Sequence, residues 1–187
     1  AITGPGLGAI HDGDSWLILG PTGFIGPLRR SLKDRHTSAS MVQATGRGTQ
    51  VLELLPPMTG TPNLDWIRET LHIEDWAEAE RQARSVPPSS GGVIYLPYGS
   101  PGGERAPFLD PAASASWLGL SVSTSNAQIL RSVYEGVSFS LVECADLLEL
   151  EGPVIVSGGG FRSDLVCEIL ADTLNVEVLR QDAPEAG

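Results

Sequence analysis

Apolar residues along the chain recur with two different periods, and the changes between them mark out the elements. Ser15–Leu19 (SWLIL) and Phe24–Leu28 are short apolar runs joined by Gly20-Pro21-Thr22-Gly23, which predicts two strands in a hairpin with glycine free to take positive φ. A weak strand signal follows near Ser40–Gln43. Val51–Leu55 is apolar and fits either strand or helix until Pro56-Pro57 ends it. Asn63–Leu71 and Ile73–Arg84 read as helices, with Trp66, Ile67, Trp76 and Ala77 on their buried sides. Val93–Leu96 reads as a buried strand, and a Gly/Pro-rich loop from Pro97 to Ala115 follows it, longer than compact domains usually carry without a function. Ser125 and Gln128 have capping-box spacing. Beyond them Leu130, Val133, Val137, Leu141, Cys144 and Leu148 form one stripe of a helix running to about Leu150, which Gly152 is placed to stop. Pro153–Val156 predicts a strand, Ser163–Leu174 a helix and Val176–Leu179 a last strand. Strands first, then helices alternating with strands, predict a mixed α/β fold with an early hairpin and parallel pairing near the end.

Composition narrows the function classes. Hydrophobic residues are 41% and charged residues 19% of the 187, as in a globular protein rather than a disordered one. The net charge of −11 argues against nucleic acid as a partner. The one basic run, Arg29, Arg30, Lys33 and Arg35, reads as a solvated loop. Cys144 and Cys167 fall in helical patterns and predict free thiols and a reducing, cytoplasmic setting. No apolar run approaches the ~20 residues of a membrane span, so no membrane partner is expected. His11, His36 and His72 lack metal-ligand spacing, and no metal ligand is assigned. The chain opens at Ala1 inside a Gly-rich apolar stretch without a basic leader, which reads as the start of a fragment.

Two stretches carry candidate chemistry. Val154-Ile155-Val156-Ser157 runs into Gly158-Gly159-Gly160, and Ser163 then opens a helix. Glycines let a ligand approach the backbone, and free N–H groups at a helix start favour an anion. Its bland reading, a flexible connection, is about equally supported by the glycines alone. The turn Gly20-Pro21-Thr22-Gly23 could cradle a phosphate, although hairpin turns often contain these residues. No GxxxxGK[ST] stretch is present, which excludes a P-loop. Glu104 and Arg105 either face a cleft or brace the long loop. Glu135 is structural if buried and paired, and the tryptophans read mainly as core.

Several motifs together resemble the FGGY carbohydrate kinases. Ala115-Ser116-Trp117-Leu118-Gly119-Leu120, then Gln128-Ile129-Leu130-Arg131-Ser132-Val133-Tyr134-Glu135, satisfy that family's second signature at every constrained position. Gly103-Glu104-Arg105-Ala106-Pro107-Phe108-Leu109-Asp110-Pro111 resembles its GERxPxxDP loop. Ser157-Gly158-Gly159-Gly160 with Ala171-Asp172 resembles its adenosine motif. Gly13-Asp14 through Gly23 resembles its phosphate hairpin, and Gly60 through Trp66 the helix start that follows. The resemblance covers essentially the whole sequence in order.

It implies an actin-like ATPase (ribonuclease H-like) α/β domain with a mixed sheet and flanking helices. Residues 1–187 would be the C-terminal, nucleotide-binding half of a two-domain sugar kinase, truncated at both ends. Gly20, Thr22 and Gly23 would lie against the ATP phosphates and Gly60 against the nucleotide. Gly159 and Ser163 would hold the adenosine end, with Gly158 and Gly160 permitting the approach. ATP and Mg²⁺ are the implied cofactors. The family's catalytic aspartate falls just ahead of Ala1, so no catalytic residue is assigned within the chain. Implied partners are a sugar or polyol substrate, the missing N-terminal domain and, in a homodimer, a second copy. Family members usually carry Thr where this sequence has Pro21, which lacks both a hydroxyl and a backbone donor. A pentulose acceptor fits the GERAPF and YEGVSFS stretches best. The alternatives are an erythritol- or glycerol-type polyol kinase, or a non-catalytic actin-like nucleotide-binding module.

Overall fold

The computed structural model describes residues 8, 11–31 and 37–181. Strands β1 (Ser15–Leu19) and β2 (Gly23–Arg29) form the expected antiparallel hairpin. β3 (Met41–Ala44) and β4 (Val51–Leu54) extend the sheet on one side. β7 (Val154–Ser157) and β8 (Val178–Arg180) extend it on the other, both in parallel pairing, giving the order β3-β4-β2-β1-β7-β8. The ambiguous 51–55 stretch is therefore strand, paired with β2 and β3.

Alternation along β1 sends Leu17 and Leu19 to one face and Trp16 to the other. The first pair enters the main core with Ile25, Leu55 and the helices. Trp16 joins Leu28, Leu52 and Leu54 in a smaller cluster. The main core is organised by α3 (Asn126–Leu147). All six predicted stripe residues, with Leu148 at the helix cap, are fully buried. Ser125 and Gln128 make the capping box, as the spacing predicts. α3 ends at Leu147, ahead of the expected stop, because the backbone turns at Leu148 and Glu149 takes φ of 50° before Gly152 is reached. α1 (Pro62–Thr70), α2 (Trp76–Arg84) and α4 (Asp164–Leu174) complete this layer, and a two-stranded sheet of β5 (Ile94–Leu96) and β6 (Ser116–Leu118) packs beside α3.

Several sequence expectations are corrected. Trp66 and Trp76 are 44% and 45% exposed and Ala77 is also exposed: Trp66 lies off the inward stripe of Asn63, Leu64 and Ile67, Ala77 lies off that of Ala79 and Ala83, and Trp76 shares the latter stripe but is the first residue of its helix. The 73–84 helix begins at Trp76, where the Asp75 carboxylate accepts the Ala77 amide at 2.7 Å. In β5 only Tyr95 is buried, since Ile94 and Leu96 point away from α3. β6 emerges from the end of the long loop. The basic run is not simply solvated, because the Arg29 guanidinium donates to the Leu148 carbonyl at 2.7 Å; Lys33 and Arg35, like His36, lie outside the described residues.

The buried polar residues tie the loops down. Glu104 is 1% exposed and accepts hydrogen bonds from the Met58 and Thr59 amides and the Thr59 hydroxyl, so it braces the long loop against the 58–59 backbone. Glu135 accepts from Arg131 at 2.8 Å, the Ser89 amide at 3.0 Å and the Ser90 hydroxyl at 2.7 Å, fixing the connection before β5 to α3. Both cysteines are free, and burial pushes the Cys144 thiol up to about 12. No helix among the described residues is long and apolar enough to cross a membrane.

Candidate functional site

β1 and β7 run parallel and side by side, so their carboxyl ends open at the same edge of the sheet. Crevices at such edges are where open α/β sheets bind ligands. Backbone crowding here explains why distant parts of the sequence supply glycine. A Cβ on Gly158, whose φ is 102°, would lie 2.6 Å from the Leu19 carbonyl oxygen. One on Gly60 would lie 2.5 Å from the carbonyl oxygens of both Gly20 and Pro21. The Thr61 amide donates to Gly20 O at 2.8 Å and ties the start of α1 to the hairpin turn. Gly20, Gly60 and Gly158 are thus brought together around the end of β1.

The remaining predicted glycines divide. Gly23 faces inward: its amide donates to Pro57 O at 3.1 Å, and a Cβ would meet the Pro57 ring at 2.8 Å. Gly160 packs on the Leu19 side chain, 2.5 Å from where its Cβ would be. The Gly20 amide is spent within the turn on Thr22 O. Gly159 differs from all of these. Nothing lies within 4 Å of its Cβ position, its φ is not positive, and it lines a cavity. Among the described residues, the amides of Thr22 and Gly60 donate to no protein carbonyl.

That cavity measures about 740 Å³ and lies between α1, α2, α3 and the start of α4. Leu64, Trp76 and Tyr134 give it apolar walls, Thr61 and Gly159 line it near the strand ends, and Arg81, Arg84 and Arg162 stand at it beside the carboxylates of Asp65, Glu80 and Asp164. Trp76 carries the Arg68 guanidinium 4.9 Å from its ring centroid. Burial raises the Tyr134 hydroxyl well above its ordinary range, so the group stays neutral.

Ser163 stands at the cavity as the cap of α4, accepting the Val166 amide at 3.3 Å and donating to Glu80 at 2.8 Å. Glu80 also accepts the Leu165 amide at 2.9 Å and the Arg84 guanidinium. The anion-binding start of α4 is therefore filled by the protein's own carboxylate, contrary to the expectation of free N–H groups there. Glu168 first, then Glu80, holds Arg84 further above its already high value. Sequence reasoning missed Trp76, Glu80 and Tyr134 as cavity residues. Trp76 shares the face of Ala79 and Ala83, so its spacing reads as core rather than cavity wall, and nothing in the sequence singled out Glu80. Among the described residues no group of three His, Cys, Asp or Glu side chains is arranged to hold a metal.

Comparison with known proteins fits this geometry. The model of the FGGY family of carbohydrate kinases, C-terminal domain, matches residues 22–187. The chain is 32% identical over 183 residues to a glycerol kinase of Gloeobacter violaceus, covering 94% of this chain and 35% of that protein. It is 29% identical over 123 residues to the xylulose kinase of Bacillus subtilis, covering 63% of this chain and 24% of that protein. The crystal structure of ligand-bound xylulose kinase from Lactobacillus acidophilus superposes with a TM-score of 0.89 at 27% identity, over 99% of this chain and 38% of that one. The chain thus spans between about a quarter and two fifths of the length of the proteins it matches.

Proposed function

The chain belongs to the FGGY family of carbohydrate kinases, and from that premise we propose that it forms the nucleotide-binding half of an ATP-dependent kinase that phosphorylates a hydroxyl of a pentulose or related sugar. The observation that carries this reading is Gly159. Folding does not need glycine there, yet the residue lines a cavity of nucleotide size with its side-chain space empty.

In this reading the cavity takes the adenosine end between Gly159 and the apolar wall of Leu64, Trp76 and Tyr134. Gly20 and Gly60 shape the floor under the phosphates, and the free amides of Thr22 and Gly60 serve as donors to them. Gly158 and Gly160 keep the end of β7 close against Leu19 of β1, and Gly23 keeps the hairpin close against Pro57 and Thr59, so that the floor can exist. Ser163 holds the start of α4 in place through Glu80. Mg²⁺ characteristically keeps waters and substrate phosphates as ligands, so it would ride on the triphosphate, where it neutralises charge; the described residues offer it no cage of their own. The base that accepts the sugar proton, and the sugar site itself, would come from a longer polypeptide.

Replacing Gly159 by Ala tests the reading. Thermal stability should change by no more than about 0.5 kcal/mol, while affinity for a fluorescent ATP analogue should fall about tenfold, or 1.4 kcal/mol. Unchanged affinity in a stable G159A protein would remove the nucleotide from this cavity. A glycerol-type acceptor remains a second reading, favoured by the 32% identity that extends over 94% of the chain.

A further inference from the structure

A second cavity, of about 600 Å³, lies across the first turn of α1 from the nucleotide cavity. Thr61 lines the first, whereas Pro62, Asn63 and Trp66 line the second, along with Pro21 of the hairpin turn and the Gly/Pro-rich loop after β5. Among the described residues its walls contain no Asp, Glu, Lys, Arg or His. A phosphorylated or carboxylated ligand would find no counter-charge there, whereas the first cavity carries three arginines beside three carboxylates.

What the cavity does present is an indole held in place. Trp66 is 44% exposed and rests against Trp117, with ring centroids 5.4 Å apart. Trp117 is fixed in turn by Tyr95 at 4.6 Å and by its own Nε1 donating to the Ser132 hydroxyl at 3.1 Å. The Tyr95 hydroxyl donates to Asn63 Oδ1 at 2.7 Å, which locks the wall behind the ring. Binding against such a ring costs little side-chain ordering. Two hydroxyls at the cavity keep hydrogen-bonding capacity. Among the described residues, Ser100 Oγ accepts only the Gly102 amide and donates to no protein group, and the Ser114 side chain makes no hydrogen bond.

A rigid, half-exposed aromatic face beside uncharged hydroxyls matches a molecule with a C–H face and several hydroxyls of its own. We propose that this cavity is an accessory site for an uncharged sugar or polyol, stacked on Trp66 and separate from the nucleotide cavity. The proposal stands on the cavity's own chemistry and is independent of whether ATP binds next to it.

The test is saturation-transfer NMR on the purified protein with D-xylulose, erythritol and glycerol as probes at tens of millimolar. Transfer to the carbon-bound protons of at least one probe is expected, and it should persist when ATP is present in excess. Trp66→Phe should retain it, and Trp66→Ala should weaken it about fivefold. Since Trp66→Ala removes a partner of Trp117, a second variant guards against misfolding: Ala113→Trp, on the cavity wall, should block transfer while leaving the melting temperature unchanged. Absence of transfer for all three probes would overturn the proposal. So would transfer that survives both variants, or a clear preference for phenol over the sugars, which would make the cavity an aromatic-ligand site.

Discussion

Around the end of β1 glycine serves two separate ends, and substitution distinguishes them. Gly60 is glycine because two carbonyl oxygens occupy the space a Cβ would need, each 2.5 Å away and both backbone. Neither can move without opening the hairpin turn, so Gly60→Ala should destabilise the fold by about 1–3 kcal/mol, the usual cost of overpacking. In a protein of this size that lowers the melting temperature by several degrees, at roughly 2–4 °C per kcal/mol, readable by circular dichroism. Gly159 has empty space instead, and its substitution should cost affinity rather than stability. At this scale the sequence was informative about identity and less so about role. All eight predicted cofactor residues lie on the segments around the strand ends or the cavity. Whether a glycine is there for the fold or for the ligand depends on what stands opposite it, and for Gly23 the partner is Pro57, 34 positions away.

Among the elements, α3 was the most legible because a 3.6-residue period sustained from Leu130 to Leu148 can only be satisfied by burying that stripe. The Arg131–Glu135 pair sits on the same helix, and Glu135 also holds Ser89 and Ser90. Removing one partner of a buried pair leaves the other charge uncompensated. Glu135→Ala should therefore destabilise the fold by about 3–5 kcal/mol, measured by urea unfolding; a loss below about 1 kcal/mol would mean the pair behaves as an exposed one. Short elements were harder to read. β6 is only three residues long and emerges from a Gly/Pro-rich loop, and its alternation is too brief to register. The exposed positions of Trp66 and Trp76 were misread because large aromatics usually face inward. Here each stands on the wall of a cavity instead. Glu80 was invisible for a different reason: four residues before Arg84 it reads as one half of a surface pair, and only the tertiary fold brings the start of α4 onto it.

Taken as a whole molecule, the described residues form a six-stranded mixed sheet whose helices, with the small β5–β6 sheet, gather on the face that carries Leu17 and Leu19. The family resemblance that the motifs carried is matched by the family comparison and by the fold of solved xylulose kinases. The acceptor was not legible, since proteins named for glycerol, erythritol and xylulose match at similar identity. Residues that choose between such acceptors would have to touch them, and the glycine motifs that carried the resemblance gather around the end of β1 and the larger cavity instead. The most direct test of that arrangement is to titrate the ¹⁵N-labelled protein with ADP and with a non-hydrolysable ATP analogue while following every backbone amide. Convergence on one nucleotide predicts that Thr22, Gly60, Thr61 and Gly159 shift together along a single binding curve, with the hairpin-turn amides responding more to the triphosphate than to ADP. Independent curves for these amides, or shifts scattered across β3, β6 and β8 with none at Gly159, would contradict it.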